Sequence, residues 1–501
     1  MNLGLFEPLL NLLREMLPED QPLYLVGGAV RDILLNRPIH DLDFTLPSPV
    51  RPFSRRLADI LGAGFYMLDP VRETARLIWT RPDGERISLD FASLRESTLE
   101  ADLRGRDFTI NAMALPVSQP DSLIDIMGGA ADLRTGVLRA CSGSTFADDP
   151  ARILRAFRLS LELKLKIQPE TYRLLLASVP ELSRVSPERQ RDELFKMLDG
   201  PRVASAIRLL EQSGTLKILA PELLQLKGLQ QSEPHVLDGW EHTLAVIQEL
   251  EHLFDVLVGG YKENASSNLV HGMAVLRLGM FREHLTRHFS SKLNPERSLR
   301  SLLFLAALYH DTGKPRALKV DPSGRTRFIE HDLYSEELAA ERGRALALST
   351  VEIDRLTVLV RQHMRIHLQA KDNPRLQPRT VHRYFRACGE AGVDLCLLSL
   401  ADMLGVYRSS LPQERWQAEL EVCNQLLDAW WNQSDSMVNP PGLVNGNDLK
   451  DHFLLENSPL IGKLLVVIKE AQAAGEVKTR EEALRCATAW LKVNAGSRSK
   501  E

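Results

Sequence analysis

Between residues 23 and 115 short apolar runs alternate with short helical stretches. Residues 23–26, 41–46, 77–80 and 87–92 read as strands, which predicts a small α+β or α/β unit. From about 150 onward, apolar residues recur every three to four positions in ARILRAFRLSLEL, RVASAIRLLEQ, HTLAVIQELEHLF and SLLFLAALYH, with no alternating strand. The pattern predicts an α+β head on a long helical body. The N-terminal MNLGLFEPLLNLLREM carries Glu7 and Glu15 and lacks a basic leader, so it reads as an amphipathic helix rather than a signal peptide. GGYKENASSN (259–268) and SDSMVNPPG (434–442) interrupt the helical pattern, the second through paired prolines, and a C-terminal domain is expected to follow it. GSRSKE at 496–501 is expected to fray.

Composition narrows the class. The 501 residues allow about three or four domains. With 62 Lys+Arg against 66 Asp+Glu, 44% hydrophobic and 26% charged residues, the chain is neither disordered nor collagenous nor a coiled coil. The balanced charge confines any nucleic-acid site to a local groove. The longest apolar run, 302–309, falls far short of the ~18 residues of a spanning helix, so a cytoplasmic protein without membrane contact is expected. Cys141, Cys388, Cys396, Cys423 and Cys486 are odd in number and never spaced C-x-x-C, which predicts reduced, structural thiols.

Candidate chemistry begins at LYLVGGAVRD (23–32). Strand, Gly pair and helix in that order place the backbone N–H groups of Gly27 and Gly28 at a helix N-terminus suited to phosphate, with Arg31 one turn later as a second donor. In HDLDFTL, Asp41 and Asp43 lie two apart on a strand and point to one face, an arrangement a hard divalent cation such as Mg²⁺ stabilises. In RISLDFA, Asp90 takes the face opposite Ile87, Leu89 and Phe91 and is expected to complete a triad. In DDPARILRAFR (148–158), Asp149, Arg152, Arg155 and Arg158 follow one another every three residues on a predicted helix. Asp149 and Arg152 can act as a pair while Arg155 and Arg158 extend a basic stripe. An acceptor beside donors matches the edges of cytosine and adenine and leaves uracil and guanine with polar groups unpaired.

GGAVRD, DLDFT, RGRDFTINAMA (104–114) and DIMGGAADLRTG (125–136) together resemble the ordered motifs of class II tRNA nucleotidyltransferases and bacterial poly(A) polymerases. The resemblance implies a multidomain α+β chain: a polymerase-β-like nucleotidyltransferase head at 1–140, a helical neck for base recognition and RNA binding at 141–232, an HD domain at 233–410 and a helical tRNA-binding tail at 411–501. It implies that Asp41 and Asp43 hold Mg²⁺, that Gly28 and Arg31 contact triphosphate and that Arg106 binds the nucleotide. Gly105 stands where the family usually carries a second basic residue. The family also has an acidic residue and three arginines at the spacing of Asp149, Arg152, Arg155 and Arg158. SPERQRDELFKML (186–198) resembles the bracing helix that follows, with Ser186 as N-cap and Glu188, Arg189 and Glu193 as structural partners. The implied reaction is in-line attack of an RNA 3′-hydroxyl on the α-phosphorus of CTP or ATP, releasing pyrophosphate.

His242, His310, Asp311, His331, His363 and Asp402 occur in the order H…HD…H…H…D and resemble the HD phosphohydrolase superfamily, a donor set suited to Mn²⁺, Ni²⁺ or Zn²⁺. LVNGNDLKDHF (443–453) and EAQAAGEVKTREEALRCA (470–487) resemble the tRNA-gripping tail of the first family; residues 255–300 match least. A tRNA 3′-end enzyme is the leading expectation. Poly(A) polymerase is the near alternative, disfavoured by the missing basic extension, and an HD phosphohydrolase acting on RNA ends or nucleotides is the alternative of another class. Only six residues separate LDFASLRE (89–96) from LRGRDF (103–108), where CCA-adding relatives carry a longer loop. That favours CC addition alongside a separate A-adding enzyme.

Overall fold

In DLDFTL (Asp41–Leu46) every second residue is apolar, and this alternation makes one strand face core and the other face chemistry. Leu42, Phe44 and Leu46 are buried, as are Ile87, Leu89 and Phe91 on the neighbouring strand, and the Phe44 and Phe91 rings stack 5.0 Å apart. The computed structural model describes residues 6–18, 21–39, 41–47, 49–260, 268–294 and 297–495. The break expected at 259–268 and the end at 496–501 lie largely or wholly outside them.

Residues 1–189 with 213–215 form one compact unit, and 190–212 with 216–501 another. The first holds a six-stranded sheet: β1 (Tyr24–Val26), β2 (Asp41–Leu46), β3 (Gly64–Asp69), β4 (Thr74–Thr80), β5 (Arg86–Ser93) and β6 (Ala114–Pro116). Their order is β3-β4-β5-β2-β1-β6, with β2 and β5 parallel and the other neighbours antiparallel. Sequence reading missed β3 and β6. The first exposes alternate residues without burying the others fully, and the second spans three residues, so neither offers an amphipathic pattern.

The RGRDFTINAMA segment is the hub of this unit. Phe108, Ile110, Ala112 and Met113 are fully buried, and Asp107 is buried among them. Asp107 Oδ2 accepts from Arg155 Nη1 at 3.1 Å, and its Oδ1 accepts from Asn111 Nδ2 at 3.1 Å and from the Phe108 N–H at 2.7 Å. Asn111 Oδ1 in turn accepts from Arg31 Nη1 at 2.8 Å, and Arg31 donates to both oxygens of Asp32. Burial alone would raise the Asp107 carboxyl, but the Arg155 charge and these hydrogen bonds hold it below its ordinary value. DIMGGAADLRTG is scaffold beside it. Asp125 caps the Gly129–Thr135 helix through the N–H groups of Gly129 and Ala130. A Cβ on Gly129 would lie 2.1 Å from the Thr109 carbonyl oxygen, so the helix start tolerates no side chain there.

The second unit is helical apart from two short strand pairs, and the first adds one more departure from the expected absence of strands beyond 150. Leu318–Val320 pairs with Thr326–Phe328, and Lys292–Asn294 with Arg297–Ser298. In the first unit, Lys166–Ile167 pairs with Val137–Leu138. These strands are too short, or in 318–320 too exposed, to show alternation. The Gln413–Asn432 helix, expected in the tail, packs on Arg365–Asp372 and Ala391–Tyr407. A separate core for the last three helices forms only after the 434–442 break, around Val444, Leu449, Leu464, Ile468, Ala483 and Ala487. Among the described residues no helix is long and apolar enough to cross a membrane. The five cysteines form no disulfide, and burial pushes the Cys141 and Cys388 thiols up to about 12.

Asp107→Ala strands the Arg155 charge and the Asn111 amide, and is expected to destabilise the protein by about 3 kcal/mol. Because the Asp107 pKa is depressed on folding, its contribution is complete above the ordinary value of 3.8 and vanishes as pH falls through the folded value. Chemical denaturation checks both: the variant's deficit is full at neutral pH and shrinks below about pH 4. An equal deficit at all pH values contradicts an ionised Asp107.

Candidate functional site

The strand register brings the expected carboxylates together. Asp43 on β2 pairs with Asp90 on β5 in parallel and with Val26 on β1, one residue before the Gly turn. Burial pushes the Asp43 carboxyl up to about 6, helped by the neighbouring charges of Asp90 and Asp41 against the opposing pull of Arg106. Asp41 lies at the exposed start of β2.

Gly27 has φ +72° and begins the Gly28–Leu34 helix. A Cβ at Gly27 would meet Arg106 Nη1 at 3.2 Å and Asp43 Oδ2 at 3.3 Å. Leaving out the side chain therefore lets a guanidinium and a carboxylate lie close to the start of the helix, an arrangement that suits a phosphate carrying a cation. Asp102, buried, aims Arg106 by accepting from its Nε and Nη2 at 3.3 and 3.2 Å.

Two expected contributors are placed differently. Arg31 is buried, Asp32 and Asn111 take donors from it, and its Nη2 lies 3.4 Å from where a Cβ on Gly28 would sit. Asp90 lies beside Asp43, but both of its oxygens are bonded by Arg76 at 2.8 Å. Arg76 is a residue that sequence reading missed. It stands opposite Asp90 in the β4–β5 register, and cross-strand neighbours cannot be read from one strand.

In the neck the predicted helix begins later than expected, at Ala151. Asp149 precedes it in extended conformation, because Pro150 cannot continue the preceding short helix. Asp149 Oδ2 lies 3.9 Å from Arg152 Nε and accepts from Arg189 Nη2 at 2.7 Å. Burial would raise the Asp149 carboxyl, yet the Arg189 bond and charge, with Arg152 beside it, hold it below its usual range. Arg152 reaches the carbonyls of Gly105, Arg106 and Thr145 only at 3.3, 3.5 and 3.4 Å. In the basic stripe, Arg155 pairs with Asp107 and Arg158 with Glu162, so each carries a carboxylate partner. The Pro187–Leu198 helix starts directly after Ser186, with Glu188 exposed and Glu193 buried.

In the second unit all six HD residues meet. His242 Nε2 lies 3.4 Å from His310 Nε2, 3.4 Å from Asp311 Oδ2 and 3.1 Å from Asp402 Oδ1. On the other side of Asp311, its Oδ1 lies 3.3 Å from His331 Nε2 and 3.8 Å from His363 Nε2, which are 3.2 Å apart. His310, His331 and His363 each present Nδ1 to a backbone carbonyl, of Ala307, Phe328 and Val360, at 2.7 to 2.8 Å. With Nδ1–H so donated, the Nε2 lone pairs converge on one another, which a metal ion resolves and a hydrogen bond does not. Burial, with His310 and His331 nearby, pushes His363 down to about 3, leaving it in the neutral, ligating form. Three further residues surround the cluster. Lys314 Nζ is 2.5 Å from Asp311, and His367 bridges Asp402 and Glu419 at 2.9 and 2.8 Å. Lys314 sits three residues after Asp311, a visible signal; His367 and Glu419 lie on separate helices.

Comparisons with known proteins agree with this architecture. A "Poly A polymerase head domain" profile matches 23–139, a "Probable RNA and SrmB- binding site of polymerase A" profile matches 164–226, and an "HD domain" profile matches 281–404. The A-adding tRNA nucleotidyltransferase of Deinococcus radiodurans is 32% identical over 94% of this chain and 96% of its own. The CC-adding tRNA nucleotidyltransferase of Thermus thermophilus is 31% identical over 93% of each. A solved CCA-adding enzyme with ATP shares the fold at TM-score 0.60 and 22% identity, covering 97% of this chain and 96% of its own. The Thermotoga maritima CCA-adding enzyme complexed with tRNA does so at 0.54 and 22%, with the same coverage. Similarity at this level over nearly the whole length makes the chain a member of the tRNA nucleotidyltransferase family.

Proposed function

We propose that this protein is a cytoplasmic tRNA 3′-terminal nucleotidyltransferase that adds C residues from CTP without a nucleic-acid template. The observation that carries the reading is the close approach of Arg106 and Asp43 to the Gly27 turn. Asp41 and Asp43 would hold Mg²⁺, which when bound lowers the pKa of the attacking hydroxyl and neutralises charge on the departing pyrophosphate. The accumulated negative charge at Asp43 and Asp90 fits such an ion. Gly27 and Gly28 offer N–H groups to the triphosphate, and Arg106 supplies the cation beside it. Arg31 and Asp90 act as positioning residues, the first beneath the Gly turn and the second on Arg76. Asp149 accepts from the exocyclic amine of the base while Arg152 donates to the adjacent ring nitrogen.

The connection from Ser93 to Leu99 is short, which favours CC addition and a separate A-adding partner enzyme. The two relatives of opposite subtype differ by one per cent in identity, so likeness alone does not favour either product. A second activity is supported by the converging Nε2 atoms: metal-dependent hydrolysis of phosphoesters at the HD cluster, with Mn²⁺, Ni²⁺ or Zn²⁺ as the fitting ions.

Incubation with Mg²⁺, tRNA ending at the discriminator base and each NTP is expected to yield tRNA extended by two C residues by mass analysis. A terminal A added by the pure protein overturns the CC-only reading, and a long A ladder overturns the tRNA reading. Asp41→Ala with Asp43→Ala is expected to reduce addition by on the order of 10³-fold and to spare phosphatase activity. His310→Ala with Asp311→Ala is expected to do the reverse, and loss of both activities in either variant contradicts two independent sites. Because the Asp43 pKa is raised to about 6 on folding, its ionised form costs stability above that pH and none below the ordinary 3.8. In metal-free buffer, Asp43→Asn is therefore expected to melt above the wild type at neutral pH, with the gap closing as pH falls. A variant that melts lower at neutral pH refutes the strained carboxylate.

A further inference from the structure

Outside both sites, a second set of metal-ligating side chains converges. Glu249 and His252 stand one turn apart on the Gly239–Leu257 helix, and His271 approaches from the Leu269–Leu278 helix. Glu249 Oε2 lies 3.4 Å from His252 Nδ1 and 3.2 Å from His271 Nε2, and the three donor atoms all fall within 4.8 Å of one another. Charge-assisted hydrogen bonds close to about 2.7–2.9 Å, and neither contact does. Tetrahedral bonds of about 2.0–2.1 Å around zinc instead set neighbouring donors about 3.3 Å apart. The HD cluster shows the same spacing, 3.4 Å from His242 to Asp311 and 3.3 Å from Asp311 to His331.

The surroundings fit a metal centre too. Arg408 Nη1 donates to Glu249 Oε1 at 3.0 Å, orienting the carboxylate so that Oε2 faces the imidazoles. His271 is buried and the His252 side chain 45% exposed, which leaves one side open for a water as fourth ligand.

We propose that Glu249, His252 and His271 bind a zinc-like divalent cation at a site distinct from the HD cluster. Glu249 lies seven residues beyond His242, so two helical turns, about 10 Å, separate the two along one helix. The ion ties that helix to the next one.

The test uses the full-length protein, stripped by chelator, dialysed against Zn²⁺ and assayed for bound metal by mass spectrometry. His310→Ala with Asp311→Ala provides a background in which the HD cluster is disabled, and the unmutated protein is run in parallel. In both, His252→Ala and Glu249→Gln are each expected to lower zinc content by one ion per chain or to weaken it 10–100-fold. Co²⁺ in place of Zn²⁺ is expected to give a tetrahedral visible spectrum that His252→Ala removes. The partly exposed His252 is expected to tolerate replacement without lowering the metal-free melting temperature, and His252→Gln serves as a second variant. Unchanged zinc content in the folded variants overturns the site, as does a disabled background that binds no zinc.

Discussion

A carboxylate sealed inside the head sets the terms for its neighbours. Asp107 keeps its charge only because Arg155, Asn111 and the Phe108 N–H surround it, and burying that charge without them is prohibitive. Arg155 belongs to the Ala151–Glu162 helix, so compensating Asp107 fixes that helix against the head. Asn111 passes the constraint to Arg31, one turn into the helix that follows Gly27. The helix after the Gly27 turn and the start of the neck are thus two ends of one hydrogen-bonded chain. Arg106, the preceding residue, lies beside Gly27 while Asp107 is buried in the core.

Both candidate centres work by concentrating groups that repel or cannot bond one another. In the head, burial pushes the Asp43 carboxyl up, and the charges of Asp90 and Asp41 beside it add to the cost while Arg106 and Arg76 oppose it. At the HD cluster the excess is of lone pairs, forced inward because backbone carbonyls take the opposite ring nitrogens. In each case the scaffold carries a cost that a cation relieves, which is how a fold stores affinity for an ion before the ion arrives.

Much of this was legible in the sequence where the signal is local. The strand at Asp41–Leu46 and the shared face of Asp41 and Asp43 follow from period-two alternation. The six HD residues were recoverable as an ordered set, and all six meet. What escaped was long-range. Arg76 finds Asp90 through strand register, and His367 finds Asp402 and Glu419 through helix packing. Arg155 and Arg158 show the same limit: the sequence spacing gives the stripe, but not the carboxylates of Asp107 and Glu162 that pair with it. The helix assigned to Asp149 failed on one residue, Pro150, which ends a short helix and starts another.

That failure sharpens the case for a protein template. Had Asp149 sat on the helix, an i,i+3 bond to Arg152 would have satisfied both side chains and left little for a base. Held off the helix and anchored by Arg189, Asp149 stays ionised 3.9 Å from Arg152, too far for a strong bond. Arg152 meanwhile reaches three carbonyls only at the limit of hydrogen-bonding distance. A base that offers an amine to the first and a ring nitrogen to the second improves both, whereas uracil or guanine sets like against like. Selectivity under the proposed function then comes from an ionised acceptor and a weakly engaged donor held at a fixed spacing, with Arg189 and the Ala151 N–H keeping the acceptor in place.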